Sequence, residues 1–211
     1  MNETPEIALL SPKELPITLG AALDGPSKTV VSDLINTYGF VVFRGYGIQS
    51  DQDFHRFVEG FGLENFKYAD SFSNAVRHNR TDRVFTANEA PPNVEIFLHH
   101  EMAQTLTFPG ALFFFCEKAA ESGGATPICR SDLALKTLEK QNPTFTAKLR
   151  SVGVKYRNSM PSEANHESGQ GRSWKDTLTV NSAHEAEEKL AVLGYQFNWL
   201  EDGGLSVQTP A

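Results

Sequence analysis

The sequence predicts a mainly β fold with flanking helices, and three observations carry that expectation. Apolar runs rich in β-branched and aromatic residues recur at FVVFRGY (Phe40 to Tyr46), Val94 to Met102 and Ala111 to Glu117, which is the composition of buried strands. Segments with helical apolar spacing flank these runs and stop at glycine. Near the end, Asp202-Gly203-Gly204 separates two further apolar runs in the manner of a β-hairpin turn.

The elements follow in order. Ser27 to Tyr38 sets Val30, Val31, Leu34 and Ile35 on one helical face, with Gly39 as the stop. FVVFRGY is the first strand. Asp51 to Phe61 is a second helix, with Phe54, Phe57, Val58 and Phe61 inward and Gly62 ending it. Phe66 to Pro92 is polar and closed by Pro91-Pro92; it reads as a long loop with one short strand near Val84 to Thr86, and loops of this length are usually functional. Val94 to Met102 and Ala111 to Glu117 are strands, and Gly123-Gly124 is a turn. Ser131 opens a helix through Leu138, Pro143 to Arg150 is another, and Val152 to Arg157 is a strand. Ser182 and Glu185 form a capping box for a helix through Leu193, with Gly194 after it. Tyr195 to Trp199 and Leu205 to Val207 are the arms of the hairpin. No repeat or linker is evident, so residues 1–211 read as one domain.

Composition excludes some functions. The 211 residues are 40% hydrophobic and 21% charged with a formal net charge of −7. That balance disfavours a nucleic-acid partner, which needs clustered Lys and Arg. The start, MNETPEIALL, is acidic and lacks the basic flank of a signal peptide. No run reaches the roughly 20 apolar residues of a membrane span. Two cysteines make no disulfide framework, and Cys116, inside FFFC, reads as a small buried hydrophobe. A cytoplasmic location is the expectation.

The chemistry is concentrated at His99-His100-Glu101. On a strand, alternate side chains share a face, so His99 and Glu101 emerge together with Cα atoms about 6.5 Å apart. An imidazole and a carboxylate suit Fe(II), and a second histidine would complete a 2-His-1-carboxylate triad with open positions. His100 points to the opposite face from Glu101, which favours His99 as the ligand. The bare pair is a weak signal, because two polar residues at a strand end look the same.

The surrounding residues add to it. FLHHEMAQTLTFPGALFFFCEKAAESGGATPICRSD resembles the central block of the TauD/TfdA family of Fe(II)/2-oxoglutarate dioxygenases, and within it the SyrP-like branch. There the metal strand reads LH-x-EM and is followed by a Phe-rich strand, a Gly-Gly-x-Thr turn and a helix. YGFVVFRGY, TANEAPP and SGQGRSW are similar to further stretches, and the likeness runs from about Val31 to the end of the sequence.

The resemblance implies a double-stranded β-helix of jelly-roll, clavaminate synthase-like type with Fe(II) as cofactor and 2-oxoglutarate as co-substrate. It implies that His99 and Glu101 ligate iron and that Thr126 hydrogen-bonds the 2-oxoglutarate carboxylate. Asn88 and Glu89 fall where the family's loop covers the site, as substrate contacts or as turn residues. Arg77, Arg80 and Arg83 read as solvated surface, or one of them as a contact to an anionic substrate. Arg172 is unassigned, and Trp174 reads as core. The implied reaction couples oxidative decarboxylation of 2-oxoglutarate to hydroxylation of a small molecule, an amino acid or related metabolite, free or carrier-tethered. Halogenating relatives lack the carboxylate ligand; Glu101 therefore implies hydroxylation.

One departure stands out. The family's second histidine and its 2-oxoglutarate-binding arginine lie on late barrel strands, and matching segments are absent. His166, in SEANHESGQG, and His184, among glutamates, lack the pattern of that histidine. Nothing places Arg150 or Arg157 in the arginine's role. The expectation is a barrel incomplete at its C-terminal end. The chain is then a fragment, a partner to a second polypeptide or oligomer that completes the site, or a non-catalytic binding module.

Overall fold

Capping side chains set the helix boundaries. The structure, a computed structural model, describes residues 7–67, 71–73, 75–87, 95–165 and 171–210. Helix α1 (Gly25–Tyr38) begins where the Asp24 carboxylate accepts the Ser27 N–H at 2.8 Å. It ends at Gly39, left-handed at φ 87°, whose N–H donates to the Ile35 carbonyl at 2.7 Å. A Cβ at position 39 would strike the Arg130 side chain, so conformation and space both demand glycine. Helix α2 (Asp51–Glu59) is capped by Ser50, whose hydroxyl accepts the Asp53 N–H at 3.1 Å. Helices α3 (Ser131–Gln141) and α4 (Pro143–Val152) meet at Asn142, which caps α4 through Phe145 N–H. Ser173 caps α5 (Trp174–Leu178). Helix α6 (Ala183–Val192) opens on the expected box: Ser182 Oγ accepts the Glu185 N–H at 3.3 Å, and the Glu185 carboxylate accepts the Asn181 N–H at 2.8 Å.

The chain forms two compact units. The first comprises the described parts of Met1–Asn65, Arg80–Val84 and Phe113–Arg130. Here β1 (Leu9–Leu10) pairs in parallel with β2 (Val42–Phe43). Its core is aromatic. Phe43 meets Tyr46, Phe57 and Phe61 edge-on at 5.7, 5.1 and 5.9 Å, and Phe61 meets Phe113 at 5.0 Å. Such pairs each add about 0.5–1.5 kcal/mol beyond the area they bury. Of the expected α1 face, Val31 is buried and Leu34 packs on the core, whereas Val30 and Ile35 are exposed.

The second unit comprises the described parts of Phe66–Asn79, Phe85–Leu112 and Ser131–Ala211. Its antiparallel sheet runs β3 (Arg157–Met160), β5 (Leu205–Gln208), β4 (Gln196–Trp199). The β4–β5 hairpin is the one expected, turning through Gly203 at φ 79°. Leu205 and Val207 face a core with Met160, Trp174, Leu178, Ala186 and Leu190. Leu178, Leu190 and Leu205 are wholly inaccessible, and burying each contributes about 1.5–3 kcal/mol. No helix among the described residues is long and apolar enough to cross a membrane.

The fold class expected from the sequence is corrected. The described residues form a mixed α/β fold with modest β-content and no closed or curled sheet, not a double-stranded β-helix. Residues 95–100 and 111–117 carry no ladder. In the latter the period-two pattern survives, since Phe113 and Phe115 turn inward while Leu112, Phe114 and Cys116 are exposed. Alternation specifies which way side chains point; a strand also requires a neighbour for its N–H and C=O groups. None pairs with these segments among the described residues. The predicted strand at Val152 to Arg157 shifts to Arg157–Met160, because α4 continues through Val152. Cys116, expected to be buried, is an exposed thiol like Cys129.

Candidate functional site

The candidate ligands lie in the second unit, where an irregular segment enters a turn at Glu101. The turn is pinned from beneath. Met102 is 2% exposed and Thr105 is 6% exposed. The Thr105 hydroxyl lies 3.0 Å from the Met102 carbonyl and 2.6 Å from that of Thr107. The next N–H, of Leu106, donates to the Tyr195 hydroxyl at 3.3 Å. Burial raises the Tyr195 pKa above the usual phenol range. Met102 itself is left-handed at φ 59°, a conformation that costs a residue with a Cβ about 1–2 kcal/mol.

His99 and Glu101 are brought together, as expected, although by a turn and not along a strand face. Their Nε2 and Oε2 atoms stand 3.9 Å apart, too far for a hydrogen bond. The His99 Nδ1 lies 2.6 Å from the Phe97 carbonyl. A carbonyl only accepts, so Nδ1 is the donor in that contact and Nε2 is the ring nitrogen that faces Glu101. Metal-binding histidines are held in this way, with the second ring nitrogen donating to a carbonyl or carboxylate. Two donors that each bind an ion at about 2 Å stand no more than about 4 Å apart. Neighbouring donors at right angles on one ion stand about 3 Å apart, so the pair suits Fe(II) by donor chemistry while its 3.9 Å separation is wider than a facial site requires.

His100 is engaged elsewhere, with its Nε2 2.5 Å from the hydroxyl of Ser131 at the start of α3. His184 is exposed and pairs with Glu188 at 3.3 Å along α6. His166, Asn88 and Glu89 lie outside the described residues. Among the described residues, no group of three or more His, Cys, Asp and Glu side chains gathers to hold a metal. Thr126 belongs to the first unit, where it is exposed in a segment without regular structure that follows Gly123 and Gly124, both at positive φ.

The three loop arginines are not simply solvated. In the first unit, Arg80 binds Asp51 at 2.7 Å and stands 3.9 Å from Glu117, with the Asp51 hydrogen bond chiefly responsible for raising its pKa. There, too, Arg83 donates to the Leu63 carbonyl at 3.2 Å. In the second unit, Arg77 faces Glu101, with NH2 3.9 Å from Oε1. Sequence reasoning missed that pairing, since the two residues share no helix or strand period. Arg172 donates to the Ser73 and Asp176 carbonyls at 2.9 and 2.6 Å. Trp174 is core, as expected.

Comparison with known proteins agrees with the family expected from the sequence. A clavaminate synthase-like protein of Arabidopsis thaliana is 37% identical over 177 residues, covering 84% of this chain and 53% of its own length. A dapdiamide synthesis protein of Enterobacter agglomerans is 26% identical over 175 residues, covering 83% of this chain and 50% of its own. The chain thus spans about half the length of the curated relatives it matches. Residues 6–190 match the description Taurine catabolism dioxygenase TauD, TfdA family, and with that span and the 37% identity, the chain belongs to this family of dioxygenases.

Proposed function

We propose that this chain contributes His99 and Glu101 to the iron site of an Fe(II)/2-oxoglutarate-dependent hydroxylase of the SyrP-like kind. The observation that carries the reading is the His99 ring, anchored at Nδ1 by the Phe97 carbonyl with Nε2 turned toward Glu101. When bound, iron with 2-oxoglutarate supplies the oxidising chemistry. The chain's share is to hold and orient. His99 offers its Nε2 nitrogen on a ring anchored at Nδ1, and Glu101 offers a carboxylate oxygen. Thr126 is assigned to the 2-oxoglutarate carboxylate on the family likeness alone. The retained carboxylate favours hydroxylation over halogenation, and the substrate class is a small amino-acid-like metabolite. The full site draws on a second histidine and an arginine beyond these two donors, so this chain by itself binds metal weakly and does not turn over 2-oxoglutarate.

Anaerobic Fe(II) titration of the chain tests the reading. Weak one-to-one binding is expected. His99→Ala and Glu101→Ala should each weaken it by at least the roughly 10–100-fold that loss of an outer partner costs. Binding that is indifferent to both substitutions would refute the assignment and favour a non-catalytic binding module. Succinate formation by the chain alone would overturn the incomplete-site part of the reading.

A further inference from the structure

We infer that Arg77 is a positioning residue for Glu101, holding one carboxylate oxygen aside so that the other is presented as a single-oxygen metal donor beside His99. This rests on the metal reading above. The two oxygens of Glu101 face different partners: Oε1 stands 3.9 Å from the Arg77 guanidinium, and Oε2 stands 3.9 Å from His99 Nε2. Neither distance is a hydrogen bond, so the pairing acts through charge. It acts where water screens it poorly, since the side chains are 15% exposed for Arg77 and 24% exposed for Glu101.

Arg77 is itself fixed. Residues 75–79 and 85–87 lie side by side, joined by the antiparallel bridge Asn79 to Phe85 and by the Thr86 N–H donating to the His78 carbonyl at 3.0 Å. From this support the Arg77 NH1 donates to the Ala87 carbonyl. One guanidinium nitrogen is thereby tied to the backbone and the other aimed at Glu101, a division of labour that the planar fork permits and a point-like ammonium does less well. Without Arg77, Glu101 would be free to swing or to offer both oxygens to an ion. Carboxylate ligands to metals are ordinarily held by such an outer partner.

The test is metal binding by the full chain, with Co(II) as a spectroscopic probe for Fe(II). Arg77→Met keeps the apolar stem and discards the charge; Arg77→Gln replaces it if the Met variant does not fold. The expected result is about tenfold weaker Co(II) binding and a displaced visible band, reporting a changed carboxylate mode. Arg77→Lys, which keeps the charge but lacks the fork that holds the Ala87 carbonyl and faces Glu101 together, should recover only part of the affinity. In a Glu101→Gln background, Arg77→Met should have no further effect. If the parent chain does not bind Co(II) at all, the metal reading falls and this role falls with it. If the parent binds and the Arg77→Met variant binds equally or more tightly, only the role of Arg77 is overturned. An Arg77 effect that persists unchanged in the Glu101→Gln background overturns it as well.

Discussion

Residue 102 offers a direct test of how the site is held. Met102 is left-handed and nearly inaccessible, so its side chain stabilises the turn while its backbone opposes it. Replacing it with alanine removes the buried side chain, at a cost of about 2–5 kcal/mol. Replacing it with glycine removes one methyl more, yet frees the backbone from a penalty of about 1–2 kcal/mol that any Cβ incurs at this φ. Glycine's greater unfolded-state freedom returns about 0.4–1 kcal/mol of that. The extra buried methyl costs glycine about 0.8 kcal/mol, so the terms roughly cancel and Met102→Gly should be about as stable as Met102→Ala. At a buried right-handed position, alanine should instead be favoured by about 1–2 kcal/mol. With an m value of about 2 kcal/mol/M, the urea midpoints should nearly coincide, against a gap of roughly 0.5–1 M at a right-handed position. Tryptophan fluorescence is a suitable probe, because Trp174 and Trp199, with rings 5.0 Å apart, both belong to the unit that contains Met102. An alanine variant more stable than the glycine variant by over about 1 kcal/mol would show that residue 102 is not left-handed.

Two further outcomes are expected. Leu190→Ala, at a wholly buried position against Leu178 and Leu205 in the same core, should lose about 2–5 kcal/mol, read as a lower urea midpoint; a loss under 1 kcal/mol would contradict the packing described. Tyr195 has a raised pKa in the folded chain because burial disfavours its phenolate, so the folded state holds that proton more tightly than the unfolded state. Its contribution is complete below about pH 10 and is lost as pH rises through that value toward the folded pKa. Ultraviolet titration should show a late-ionising tyrosine that is missing in Tyr195→Phe, and the alkaline loss of stability should be shallower in that variant; unchanged titration would refute the assignment.

What could be read in advance divides along the range of the interactions involved. Gly39, Gly194 and the Ser182–Glu185 box act within a few residues, and the ends of α1 and α6 fall where they indicate. The β4–β5 hairpin was legible for the same reason, since two adjacent runs and their turn specify each other. The strands expected at Val94 to Met102 and Ala111 to Glu117 needed distant neighbours, which alternation cannot supply. The short β1, only Leu9–Leu10, had no pattern to betray it. At the site, the closeness of His99 and Glu101 was legible from their spacing, but for the wrong geometric reason. A methionine carries no turn signal, so the reversal at Met102 was invisible. Arg77 was read as part of a solvated loop because its pairing depends on how residues 75–79 meet 85–87.

The exposed run ahead of the site has a bearing on how this protein behaves in concentrated solution. Ile96, Phe97 and Leu98 are 48%, 73% and 61% exposed, three contiguous apolar side chains of high β propensity without a proline or charge among them. Such a stretch adheres to its like when molecules approach closely. What opposes that approach is long-range repulsion from the net charge of −7. That repulsion extends about 10 Å at 0.1 M salt and about 3 Å at 1 M. Ionic strength thus acts as the gate on self-association: dilute buffer preserves dispersal, and concentrated salt strips away the barrier while strengthening the apolar attraction behind it.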